Sequence, residues 1–386
     1  MENKTILLPN GQLMPIVGFG TWQMNSTVSM ILLFEASEEE LQSALDIALE
    51  TGYRHIDTAP VYENEEIIGK VLKKWFDSGK LKRSEVFVVT KVILINIHFV
   101  LLYFFARKIA KAEFPGAFRK VKLERALRLR QNNIERNANG RKKELPPIGN
   151  RPEDVEYWIK KSLQNLQLTY VDLYLIHTPF TFEKSGNDLH PVDENGQIKL
   201  DQSTNHVQVW KEMEKQVECG RAKAIGLSNY NISQIERILK NSKVKISMLQ
   251  IELHVYFQQK KLVKYCKEKN IPVTAYSPLG SRGLVKLINK TEEIPDMMQN
   301  DVVRTIAKKY EKSPAQILLR YIVQNGFVVI PKSTNSQRMK ENIQIFNWEL
   351  KPEDMEKLRN LDLDEAGRIC DFTFFKGIEK HVEYPF

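Results

Sequence analysis

Strand-like apolar runs alternate with amphipathic helical ones almost without interruption along this 386-residue chain, and eight such repeats leave few folds open. An Asn10-Gly11 hairpin signal in ILLPNGQLMP comes first, followed by IVGFG as the first strand. The first helix is SEEELQSALDIALETG, with Ser37 and Glu40 in capping-box spacing and Gly52 just past its end. YRHID, VFVVTK, YVDLYLIH, AKAIGLS, ISMLQIE, IPVTAYSPL and FVVIPKS supply strands two to eight. Helices are expected in NEEIIGKVLKKWF, PEDVEYWIKKSLQNLQ, NHVQVWKEMEKQVECG, NISQIERILKN, QQKKLVKYCKEKN, VVRTIAKKYEKS and SQRMKENIQIF. One more, SPAQILLRYIVQNG, starts on Ser313 with Pro314 at its first position and Gln316 closing the capping box. Mostly short connections favour a (β/α)8 TIM barrel, one domain over residues 1–386, rather than an open doubly wound sheet. The open alternative also lacks its fingerprint. Gly18 and Gly20 give GxG, but Thr21 and Trp22 follow where GxGxxG needs a third glycine further on, so a nucleotide would be held another way.

Composition excludes several function classes. Cys219, Cys266 and Cys370 are far apart, with no CxxC and no Cys/His cluster, so neither a disulfide framework nor a metal site is expected. The N-terminus lacks a basic stretch followed by an apolar core, so a cytosolic (cytoplasmic) location is expected. The net charge of +9 would ordinarily point to nucleic acid or an anionic membrane. Residues 92–144, however, hold thirteen Lys or Arg against four Asp or Glu, which accounts for the whole excess. The rest of the chain is balanced, and neither a nucleic-acid nor a membrane partner is expected for it.

In a (β/α)8 barrel the chemistry sits at the C-terminal ends of the strands. The second strand ends in Asp57, with Tyr62 five residues on; the third ends in Lys91 and the fourth in His177. Singly, a strand-end Asp or Lys reads as a loop anchor and His177 as a core histidine, but their conjunction on adjacent strands forms a proton-donor assembly. A phenol has an ordinary pKa of about 10. A nearby ammonium would lower it, a carboxylate would hold the ammonium, and the imidazole would orient a carbonyl. A metal-dependent barrel hydrolase built on His55, Asp57 and His177 is the competing enzyme, without the HxH strand end such a site uses.

These motifs, in order GFGTW, GYRHIDTAPVYENEEIIG, VFVVTK, VDLYLIHTP, GLSNYN, LQIELH, AYSPLGS and IPKSTNSQRMKEN, resemble the aldo-keto reductases over nearly the whole chain. LPNGQ, LHPVDENGQIKLD and FFKGIEKHVEYPF are most similar to aldose-reductase-like members, insect ones in particular. The resemblance implies a barrel with an N-terminal β-hairpin and a C-terminal loop over the active-site face, reducing a small-molecule carbonyl with NADPH as a monomer. It puts the catalytic tetrad on Asp57, Tyr62, Lys91 and His177, with Tyr62 as the acid. It also implies that Ser228, Asn229 and Gln250 hold the nicotinamide amide and that Tyr276 stacks on its ring. Gly20, Thr21 and Trp22, and Ser277, Leu279 and Ser281 of AYSPLGS, would line the cofactor. Lys332, Ser333 and Arg338 would take the adenosine 2′-phosphate, and Glu341 and Asn342 the adenine. Two cations around a dianion favour NADPH over NADH, because burying an unpaired phosphate is costly. Trp22, Tyr62 and His177 would face the substrate, with Phe180 or Phe182 as a further wall. Thr178 stands where many relatives carry Trp, which separates this chain from their sugar and aromatic preferences; a steroid-like ketone is another substrate class.

Two segments interrupt the pattern, 24–35 and 92–144. Without them the flanks read GTWQASEEEL and VFVVTKLPPIGNRPEDVE, continuous with the family motifs. The long one joins an apolar aromatic run to a basic tract and is read as disordered or as a gene-model artefact, since long structureless loops are rare inside compact domains. A membrane hairpin is disfavoured: Ile93 to Ala106 is shorter than the roughly 20 apolar residues a span needs and contains Asn96 and His98. A basic RNA-binding arm lacks any recognisable module. Both segments leave beside the expected site, so a catalytically impaired NADPH-binding structural or regulatory protein is the alternative to a reductase.

Overall fold

The computed structural model describes residues 4–22, 38–92, 151–183 and 191–386. An antiparallel hairpin, β1 (Thr5–Leu7) and β2 (Leu13–Pro15), precedes eight parallel strands. These are β3 (Phe19–Gly20), β4 (His55–Asp57), β5 (Phe87–Val92), β6 (Val171–Ile176), β7 (Ala222–Ser228), β8 (Leu249–Glu252), β9 (Val273–Tyr276) and β10 (Val328–Val329). Each pairs with its neighbours in chain order. A parallel bridge from Val17 to Val329 closes the ring, with Gly18 N–H donating to the Val329 carbonyl at 2.8 Å and Val329 N–H to Ile16 at 2.9 Å. The seam is tight: a Cβ on Gly20 would stand 2.6 Å from the Ile330 carbonyl oxygen. The fold is a (β/α)8 barrel, as the alternation predicts.

Helices α1 (Glu38–Thr51), α2 (Glu65–Asp77), α3 (Pro152–Leu166), α4 (His206–Glu218) and α5 (Ile232–Leu239) surround one half. The other half carries α6 (Lys260–Glu268), α7 (Arg282–Leu287), α8 (Asp301–Tyr310), α9 (Pro314–Gln324), α10 (Ser336–Ile343) and α11 (Pro352–Arg359). In α1 the buried Leu41, Ala44, Leu45, Ala48 and Leu49 recur at helical spacing and face the strands. The α9 capping box forms as expected, Ser313 and Gln316 bonding each other's backbone N–H groups. Ser37 and the segment 24–35 lie outside the described residues, as does 92–144 except for Val92. That residue corrects the strand boundary: it is buried, pairs with Ile176 and belongs to β5, so the strand runs one residue past Lys91. Helices α7 and α11 were not expected, although Pro352 at a first helical position followed by Glu353 and Asp354 is a start signal. Among the described residues no helix is long and apolar enough to cross a membrane.

Strand alternation divides the core in two. Phe87, Val89, Leu173, Leu175, Ala224 and Met248 fill the barrel interior, where Leu8 and Met14 from the hairpin segment join them. Val88, Val92, Tyr174, Ile176 and Ile225 point outward into the larger layer beneath the helices. The interior rank continues upward from Val89 to Lys91 and from Met248 to Gln250. Polar residues placed there are delivered together to the C-terminal mouth.

Candidate active site

Lys91 continues that interior rank and is wholly buried. Its ammonium has three N–H groups and uses all of them: to Asp57 Oδ1 at 2.7 Å, to the Thr58 carbonyl at 3.0 Å and to the Tyr62 hydroxyl at 3.2 Å. The other Asp57 oxygen accepts Gln250 Nε2 at 2.8 Å. A buried ion pair persists only when its remaining lone pairs and protons are satisfied, and here they are. Tyr62 rides on a single 3-10 turn, Pro60–Tyr62, directly beyond β4. His177 follows β6, and its ring meets that of Tyr62 edge-on at 6.0 Å between centroids.

Two residues that sequence reasoning passed over hold this turn. Asn64 stands at the N-cap position of α2 but makes no capping bond. Its side chain instead accepts the Thr58 hydroxyl at 2.9 Å and donates to the Thr21 carbonyl at 2.8 Å. A buried Asn before a helix in VYENE is the only signal of this in the chain, and it reads first as a cap.

Burial pushes the Tyr62 phenol up from its ordinary value, and the pull of the Lys91 ammonium in the other direction does not overcome it. The lowered phenol expected from the sequence is therefore not what the chain shows; desolvation outweighs the neighbouring charge. For Lys91 burial works downward, but Asp57 and Tyr62 together more than offset it, and the ammonium is held above its usual range. His177 is held well below its usual value by burial and then by Lys91, so its imidazole is neutral. The site thus pairs a protonated phenol with a neutral imidazole.

These groups open on a cavity of about 640 Å³. Trp22, Asp57, Tyr62 and His177 line it at the β4–β6 side, with Cys370 and Phe372 of the C-terminal segment. Gly20, Thr21, Ser228, Asn229, Gln250 and Tyr276 line its middle. Ser277, Leu279 and Ser281 follow along the loop after β9, and Lys332, Ser333, Arg338, Glu341 and Asn342 lie toward β10 and α10. Lys91 sits beneath rather than on the wall. Asn229 adopts a left-handed backbone, φ 63°, which an Asn tolerates better than most residues. It is tied in place by donating Nδ2 to the His177 carbonyl at 2.9 Å and accepting the Tyr276 hydroxyl at 2.8 Å.

One expectation changes, that of a cavity wall at Phe180 or Phe182. Phe180 and Phe182 are wholly buried and do not line the cavity; they pack on Phe372 and Phe375, at 5.2 and 5.1 Å, and so support the wall from behind. Thr178 turns inward, its hydroxyl donating to the Phe180 carbonyl at 3.3 Å. His55 is committed elsewhere: Nδ1 lies 3.2 Å from the Pro15 carbonyl under the hairpin, its ring abuts Phe87, and burial lowers it to about 4.

Comparison with known proteins agrees with this geometry. The Aldo/keto reductase family matches residues 16–363. Prostaglandin F synthase 1 of Bos taurus is 34% identical over 387 aligned residues, covering 100% of this chain and 98% of the relative. Aldo-keto reductase family 1 member A1 of Mus musculus is 35% identical over 363, covering 94% and 90%. The solved structure of the aldose reductase from Schistosoma japonicum superposes with a TM-score of 0.74 at 34% identity, covering 100% of this chain and 99% of its own. With a closed barrel, an interior rank that delivers Asp57 and Lys91 to one mouth, and a full-length match, this chain belongs to the aldo/keto reductase family of oxidoreductases.

Proposed function

We propose that this protein reduces aldehydes and ketones to alcohols with NADPH, Tyr62 giving the proton. The observation that carries the reading is the Lys91 ammonium bonded at once to Asp57 and to the Tyr62 hydroxyl, at the mouth of the cavity that His177 also lines. The coenzyme, when bound, supplies hydride. Tyr62 places its hydroxyl where a carbonyl oxygen gains charge and transfers its proton there, while Lys91 stabilises the phenolate left behind. The neutral His177 directs the same oxygen by hydrogen bonding. Trp22 and Phe372 present apolar surface to the substituents and keep water from the reacting carbon.

The residues present fit a phosphorylated dinucleotide. One continuous cavity runs from the tetrad to two cations, Lys332 and Arg338, beside the Ser333 hydroxyl, and such a cluster recognises a phosphate dianion that NADH does not carry. The resemblance to the aldo-keto reductases is what supports a monomer, and the scattered cysteines support a cytosolic site of action. The assembled Lys91 contacts speak for an active enzyme over an impaired one. Residues 24–35 and 93–144, with Val92 kept in β5, are read as dispensable: removing both should leave turnover at least equal.

Fluorescence titration with NADPH, followed by a carbonyl panel that includes 4-nitrobenzaldehyde, tests the reading. NADPH should bind and be oxidised by the intact chain, and Tyr62→Phe should bind it but not turn over. No NADPH binding would remove the function, and full turnover in Tyr62→Phe would remove the acid.

A further inference from the structure

Strand β8 carries a second interior polar residue that the tetrad does not use. Two places beyond Gln250, Glu252 occupies the last position of the strand, 1% exposed, and does not line the cavity. Its carboxylate reaches over the barrel rim to the C-terminal segment. Oε1 accepts the Ile369 N–H at 2.8 Å and Oε2 the Cys370 N–H at 2.8 Å, while His254 Nε2 lies 2.8 Å from Oε1. An anionic acceptor shared between two adjacent backbone donors fixes a peptide more firmly than a neutral contact does.

What is fixed is the substrate end of the cavity. Side chains alternate from that anchor: Cys370 lines the cavity, Asp371 turns out to Lys290 at 2.6 Å, and Phe372 lines the cavity again. Phe372 has a left-handed backbone, φ 60°, unfavourable for an aromatic residue and kept only if its surroundings enforce it. Asp371 also accepts the N–H of Thr373 at 3.0 Å and its hydroxyl at 2.7 Å, which continues the constraint. The tetrad, by contrast, is held by its own bonds to Thr58 and Gln250 and by the Asn64 contacts, none of which involves this segment.

We propose that Glu252 is a positioning residue that sets the substrate wall formed by Cys370 and Phe372, with the Lys290–Asp371 ion pair as its second anchor, and so favours bulky apolar carbonyls over small ones. This rests on the carbonyl-reduction reading for its kinetic consequence, but not for the clamp itself. Replacing one carboxylate oxygen by an NH2 group leaves one of the two N–H groups facing a donor instead of an acceptor and lets the wall move away from the substrate.

The test uses the full chain, wild type beside Glu252→Gln and Lys290→Met, with hydrogen exchange of the 366–374 peptide and steady-state kinetics on propanal and 4-nitrobenzaldehyde. Exchange at 366–374 should quicken in both variants. KM for 4-nitrobenzaldehyde should rise about tenfold in Glu252→Gln and less in Lys290→Met, with kcat, propanal kinetics and NADPH affinity within about twofold. Unchanged exchange, or equal losses on both substrates, would overturn the proposal. If Glu252→Gln does not fold, Lys290→Met decides alone by the same two readouts. Should the wild type reduce no carbonyl, the functional reading fails, and the exchange result still decides the clamp.

Discussion

The two ends of the cavity are built differently. At the tetrad end the polar groups satisfy one another: Lys91 is wholly buried with every N–H engaged, Asp57 uses both oxygens, and Asn64 locks the turn that carries Tyr62. At the α10 end Lys332 and Arg338 are exposed, and Ser333 bonds only locally with Asn335, accepting its N–H at 3.2 Å. The first end is organised before any ligand arrives, whereas the second offers charge that a ligand must complete. Damage should therefore differ in kind, affecting chemistry at one end and affinity at the other.

The largest expected effect is at the tetrad. Tyr62→Phe should lower kcat about a thousandfold while changing NADPH affinity little, because it removes the proton proposed to be transferred and leaves the cavity intact. Lys91→Met should lose turnover as well and, by stranding Asp57 in the interior, about 3 to 5 kcal/mol of stability, read as a fall in Tm. A Lys91→Met chain as stable as wild type would show that the buried pair is not what holds this end together.

Next comes the opposite end. Arg338→Ala should weaken NADPH binding about ten- to a hundredfold, the worth of one charge-assisted contact, and leave NADH affinity unchanged. Its kcat at saturating NADPH should stay near wild type. A fall in kcat with unchanged affinity would abolish the distinction between the two ends.

Much of this was legible in the chain. Eight strands were readable from β-branched runs and all the described helices but α7 and α11 from 3.6-residue periodicity, and the strand-end rule picked out Asp57, Lys91 and His177 from the many polar residues of the chain. The contacts that close the barrel between Val17 and Val329, the bond from Gln250 to Asp57 and the reach of Glu252 to Ile369 were not. Each joins positions more than a hundred residues apart, and a period of two says which face a side chain takes but not which strand it meets across the barrel. Phe180 and Phe182 failed for a related reason: an aromatic residue after a strand is equally suited to a cavity wall or to the layer behind it. The balance of forces on Tyr62 was also out of reach. A neighbouring lysine is visible in sequence, whereas the burial that outweighs it is a property of the packed mouth.

That balance gives the smallest expected effect and the most discriminating one. In its proposed role as proton donor Tyr62 must be protonated, and its value is raised above the ordinary 10, so this requirement is met until the pH rises past that range. His177 must be neutral, and its value is well below 6.5, so that requirement fails only in acid. Neither group changes charge between pH 6.5 and about 9, and kcat for carbonyl reduction should vary by no more than about twofold across that window. The free chain offers a direct check: the tyrosinate absorbance at 295 nm, taken as wild type minus Tyr62→Phe, should appear only above pH 10. A difference signal or a kinetic midpoint near pH 8 would mean that Lys91 prevails over burial. The tetrad end would then be tuned by charge, as the α10 end is, and the contrast between the two would rest on packing alone.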